Sequence, residues 1–172
     1  MPVIESRSLI SDFFKVMRRR ISDVWPEVIE EAEDASEGKV RGIFSLDEMG
    51  DTPFAMFEAP FCIIYVSSFD RSNSAAMDSQ EWRCLLEIIY VRSPEQTSEE
   101  LMERMVQLQI YLETYPNDVL DGVGQIARVH GMQNARGGAN AAFIERHLPS
   151  RAAAMQVEAW ISNDPLPLGD SS

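Results

Sequence analysis

The fold is decided by Trp82-Arg-Cys-Leu-Leu-Glu-Ile-Ile-Tyr-Val-Arg92, together with the segment that runs from Ser93-Pro94 to Thr114. The first part is rich in β-branched, aromatic and large apolar residues, which suit a pleated, half-buried surface. Side chains alternate along a strand, so Trp82, Cys84, Leu86, Ile88 and Tyr90 share one face. Arg83, Leu85, Glu87, Ile89 and Val91 share the other, polar at its start and apolar at its end. Pro94 ends the strand because it has no amide to give a ladder. Thr97-Ser-Glu-Glu100 is a capping box, in which the threonine hydroxyl accepts an orphan amide and Glu100 reaches back. A helix over 98–114 follows, with Leu101, Met105, Leu108 and Leu112 on one stripe. A strand that feeds an amphipathic helix predicts a helix lying on a sheet.

The 172 residues suit a single domain, expected over 1–162 with an exposed tail over 163–172. Twenty-eight acidic residues against 15 basic ones give a net charge of −13. Such a surface repels nucleic-acid phosphates, which argues against sequence-specific DNA or RNA binding. Both cysteines, Cys62 and Cys84, lie inside apolar strand patterns and read as buried thiols in a reducing compartment. Met1–Arg7 lacks a basic region followed by an apolar run, and no run approaches the about 20 residues of a membrane span. A soluble protein made in the cytoplasm, with no membrane partner, is therefore expected.

Outward from the opening stretch, residues 8–25 read as the first helix. Leu9, Ile10, Phe13, Phe14, Met17, Ile21, Val24 and Trp25 form its apolar stripe, and Arg18-Arg19-Arg20 its charged interruption. Pro26 suits the first residue of a short acidic helix to Asp34. Residues 39–46 and 61–67 read as strands, and Asp47–Pro53 reads as a loop by composition. Phe54–Pro60 is ambiguous. Phe69–Gln80 is predicted to be a polar hairpin tip. Residues 122–132 read as a strand whose glycines indicate an edge or a bulge. In residues 133–150 a short helix is expected at Ala141–Leu148. Ala152–Ile161 alternates as the last strand. The fold class expected is α+β: a mostly antiparallel sheet of four to five strands, with the N-terminal helix and the second amphipathic helix on one face.

The chain has no Gly-x-x-x-x-Gly-Lys-Ser/Thr run, no Gly-x-Gly-x-x-Gly run and no Gly-x-Ser-x-Gly elbow. Two histidines, His130 and His147, without a Cys-x-x-Cys partner, are too few for most zinc sites. His130 reads as a packing or surface residue. Carboxylate pairs such as Glu30/Glu33 and Glu99/Glu103 arise by chance among 28 acids and sit on solvated helix faces. No catalytic, cofactor or metal residue is therefore assigned, and an enzyme is not expected. Met102 and Met105 are read as core, with a neighbouring subunit as the alternative, because methionine surfaces adapt to partners.

Three features together resemble the tail-terminator and related neck proteins of tailed bacteriophages. They are the amphipathic helix at 8–25, the strand pair 61–67 and 82–92 joined by a polar tip, and the helix 98–114 followed by the closing strand Ala-Met-Gln-Val-Glu-Ala-Trp-Ile161. The resemblance spans about Leu9 to Ile161. It implies an α+β subunit that assembles into a ring, commonly a hexamer. That ring caps the tail tube, meets the head connector (and the sheath in a contractile tail), and leaves a channel for genomic DNA. It implies a virion protein that works by geometry and needs no cofactor. An acidic lumen would let DNA pass without binding. On this reading, Asp70, Arg71, Asn73, Met77, Asp78, Arg136, Arg146 and Arg151 are candidate assembly contacts, on arms at 69–80 and 133–150. Function is expected in the 69–80 arm and in the exposed edges of the strand–helix platform. The alternatives are an adjacent head-completion protein, a small soluble enzyme or ligand-binding domain, and an adaptor that dimerises through a sheet edge.

Overall fold

The computed structural model describes residues 9–29, 42–50, 57–71, 81–116, 124–134 and 152–162. In chain order these form α1 (Leu9–Val24), a 3-10 turn (Pro26–Val28), β1 (Ile43–Ser45), α2 (Leu46–Met49), β2 (Phe61–Arg71), β3 (Glu81–Val91), α3 (Ser98–Thr114), β4 (Gly124–Asn134) and β5 (Ala152–Ser162). The strands make one five-stranded sheet in the order β1-β2-β3-β5-β4. Only the β1–β2 pair is parallel. The fold is α+β, with the N-terminal helix and the second amphipathic helix packed over the sheet.

The α3 capping box forms as read. The Thr97 hydroxyl accepts from the Glu100 amide at 3.1 Å, and a Glu100 carboxylate oxygen accepts from the Thr97 amide at 3.1 Å. Leu101, Met105, Leu108 and Leu112 are buried. They close over Cys84, Leu86, Ile88 and Tyr90 of β3 and over Met155, Val157, Ala159 and Ile161 of β5. The same core takes Phe13, Met17, Ile21 and Trp25 from the first helical segment. Two of its buried polar tips are satisfied. The Trp25 indole N–H donates to the Arg104 carbonyl at 2.9 Å, and the Tyr90 hydroxyl donates to Glu27 at 3.0 Å. Glu27 also pairs with Arg104 at 2.9 Å, so one carboxylate ties the turn after α1 to both β3 and α3.

The opposite face of β3 divides as its sequence divides. At the apolar end Ile89 and Val91 join Phe61, Ile63 and Tyr65 of β2 under Met49 and Phe57. At the polar end nothing comparable covers it among the described residues.

Several expectations are corrected. Asp47 and Glu48 belong to the short helix α2, not to a loop. Ser45 caps it with a box of its own, and Gly50 ends it at φ +47°, a conformation that glycine adopts without strain. The apolar alternation that ends at Ser67 marks a bulge, not the end of a strand: β2 continues to Arg71, with the register shifting between Val66 and Ser68. The extra residue keeps Val66 and Phe69, three apart, on the same core-facing side. Asp70 and Arg71 therefore lie on a strand, opposite Arg83 and Trp82, not in a loop. Met105 is fully buried, so only Met102 of that pair faces outward.

The strand expected over 122–132 is found as β4, at the sheet edge and with two register shifts, as its glycines indicated. Cys62 and Cys84 are free and buried, facing Tyr90 and Phe69 across the β2–β3 ladder. Burial pushes the Cys84 thiol up to about 12 and raises that of Cys62 further. Lys39–Gly42 as a strand, the acidic segment after Ile29, Phe54–Met56, the helix at Ala141–Leu148 and the tail at 163–172 fall wholly or mainly outside the described residues.

Candidate interaction surfaces

The sheet carries its helices asymmetrically, and this defines two unlike ends. α3 lies over β5 and β4, and a main-chain bond from the Ile126 amide to the Pro116 carbonyl (2.8 Å) ties its exit to β4. α1 lies toward the other end, where Arg18 reaches Glu48 of α2 at 2.5 Å and stacks over Phe14 at 6.0 Å.

At the α1 end the sheet edge is stepped. β1 pairs only with Cys62–Ile64, so Tyr65–Arg71 of β2 has no strand on its outer side among the described residues. The step leaves a recess of about 650 Å³ lined by α1, by the start of α2 and by Tyr65 and Val66. Its apolar walls are Phe14, Leu46 and Val66, and Lys15 and Arg18 stand on its rim. Asp47 occupies the far rim, beside Glu48, which Arg18 neutralises. Helical periodicity places Ser11, Lys15, Arg18 and Ser22 on this flank of α1 and Asp12 and Asp23 on the other.

The β4 end has different chemistry. Eleven residues of β4 form an open edge among the described residues. The outward face of α3 beside it shows Met102, Val106 and Ile110 at four-residue spacing, exposed by 41%, 39% and 58%. These values are high for large apolar side chains on one continuous stripe. Glu99 and Glu103 alternate with the stripe and make no ion pair or hydrogen bond among the described residues.

The uncovered part of the sheet's second face is polar and largely paired within itself. Three rows cross it: Asp70–Arg83–Trp160–Gln125, Ser68–Leu85–Glu158–Arg128 and Tyr65–Glu87–Gln156–His130. Glu158 holds Arg83 Nε at 2.7 Å, and its other oxygen lies 3.3 Å from His130 Nε2. The Arg83 hydrogen bond outweighs burial and lowers the Glu158 carboxyl below its usual range. Glu87, on the same face, has no such cation among the described residues, and burial raises its carboxyl. At the hairpin end Phe69 stacks flat on Trp82 at 5.0 Å, and the buried Trp82 indole N–H has no acceptor among the described residues.

Of the candidate assembly contacts, Asp70 is exposed on β2 and accepts from the Ser68 hydroxyl at 2.8 Å. Arg71 takes the last rung of that strand. Asn73, Met77, Asp78, Arg136, Arg146 and Arg151 lie outside the described residues. The Val106–Ile110 half of the α3 stripe was missed from sequence, although a second four-residue apolar period running beside the core period signals it. The Arg83–Glu158–His130 cluster has no local signal, because it depends on β5 being inserted between β3 and β4. Among the described residues no group of His, Cys, Asp and Glu could hold a metal ion, and no helix is long and apolar enough to cross a membrane. No protein-family model matches the chain, and a search of curated proteins returned no match.

Proposed function

We propose that this protein is a structural subunit of a phage tail-terminator ring, closing head to tail, commonly as a hexamer. The ring sits between tail tube and head connector and leaves a channel for DNA. The observation that carries this reading is the difference between the two ends of the sheet. One end offers a recess with Lys15 and Arg18 on its α1 rim and Asp47 and Glu48 on the other. The other offers an apolar helix stripe interleaved with carboxylates. A closed ring needs two different complementary patches on every subunit, whereas a twofold dimer needs one self-complementary patch. The net charge of −13 also suits a channel wall past which DNA slides.

Size-exclusion chromatography with light scattering tests the reading. A ring predicts a discrete particle, six times the subunit mass for a hexamer, alone or on addition of tail tubes. A monomer that stays monomeric with tubes, and is stabilised by a metabolite in a thermal-shift screen, counts against it.

A further inference from the structure

We infer that the outward face of α3 is one half of the subunit contact, and that its other half is the α1–β2 recess of the next copy of this chain. The inference rests on the ring reading and specifies its interface. Met102 and Val106 would enter the recess against Phe14, Leu46 and Val66, and Glu99 and Glu103 would meet Lys15 and Arg18 on the rim.

Four observations lead to this pairing. First, the stripe and the recess lie at opposite ends of one sheet, so a single translation and rotation can bring one onto the other, the head-to-tail contact that a ring repeats when its rotation closes. Second, the α3 carboxylates are uncommitted and face an uncommitted cation, Lys15, whereas Arg18 is shared with Glu48. Glu99, Glu103 and Lys15 have no ion pair among the described residues. Third, the spacings agree. Glu99 and Glu103 are one helical turn apart, about 6 Å along the axis, and the Lys15–Arg18 pair spans a similar length on α1. Lysine and arginine stems can lie across apolar side chains while their heads reach carboxylates. Fourth, the self-complementary alternative is unfavourable. Two α3 faces brought together would set Glu99, Glu103 and Glu113 of one copy against the same residues of the other, and like charges at close range disfavour that contact. The polar sheet face competes poorly as a docking surface, because Arg83, Glu158 and His130 already satisfy one another.

The test uses the full chain and four variants: Met102→Asp/Val106→Asp, Lys15→Glu, Glu103→Lys, and the combined Lys15→Glu/Glu103→Lys. All of these side chains are exposed, so circular dichroism and melting temperature should stay close to the parent. Assembly is followed by mass photometry across the soluble concentration range. The expected result is that the parent forms rings and the first three variants need about tenfold more protein to assemble, or more. The combined variant, whose reversed charges again face each other, should assemble near the parent concentration. Rings that persist unchanged in the Met102/Val106 and Lys15 variants overturn this contact and leave the ring reading standing. Loss in both single charge variants without recovery in the combined one also overturns the pairing. A parent chain that is monomeric throughout, or a twofold dimer, overturns both the contact and the ring.

Discussion

Glu87 and Glu158 stand on neighbouring strands of one sheet face, and their surroundings drive them in opposite directions. Glu158 has Arg83 and His130; Glu87 has burial without a cation among the described residues. Glu87's folded carboxyl therefore titrates above the ordinary 4.5. Its ionised form destabilises the fold, with full effect above that raised value, and relief comes as pH falls through it. Glu87→Gln is expected to raise the melting temperature at neutral pH, and the gain should vanish below about pH 4.5, as denaturation across a pH series would read. The sign reverses for Glu158, whose folded carboxyl titrates below 4.5. Its stabilisation is present above 4.5 and is lost as pH falls through the lowered value. Glu158→Gln should accordingly lower the neutral-pH melting temperature and cost less in acid. Gly124 gives a steric test at the same scale. A Cβ there would meet the Trp160 carbonyl oxygen at 2.1 Å and cannot be accommodated without moving backbone. Gly124→Ala should cost about 1–3 kcal/mol in denaturant unfolding, as overpacking does.

At the scale of elements, α3 and β5 were the most legible parts, because each has a long regular period and α3 has a capping box at its start. Thr97→Ala removes that cap and is expected to cost about 1 kcal/mol of stability, measured by urea denaturation, with little change in the folded spectrum. The strand at β2 was legible only to Ser67. Its bulge resets the two-residue period, and a pattern read without the partner strand sees an ending there. Asp47-Glu48-Met49 was read as a loop because a single turn of helix is too short to show a period, although Ser45 and Glu48 do spell out its cap. Strand order was not legible. Placing β5 between β3 and β4 is a long-range choice, and the Arg83–Glu158 pair, 75 residues apart, exists only because of it. Half of the candidate surface could be read: Met102 was singled out, but Val106 and Ile110 extend the same stripe, and the recess depends on how briefly β1 accompanies β2.

The described residues make a sheet with one helix-covered face, one part-covered face and two ends that differ in shape and charge. α3's carboxylates and exposed apolar stripe are at one end, and α1's Lys15 and Arg18 and the recess are at the other. Assembly that depends on such a contact should weaken with salt where the ion pairs dominate, since screening at about 0.15 M already acts over about 8 Å. Replacing Met102 and Val106 should weaken it at every salt concentration. The central claim is that these unlike ends meet head to tail and close. Electron-microscopic class averaging of the purified chain tests it most directly. The expected result is a closed ring with rotational symmetry, six copies in a hexamer, each copy's α3 seated against the α1 end of the next. Single subunits, or pairs related by a twofold axis with α3 left open to solvent, would contradict it.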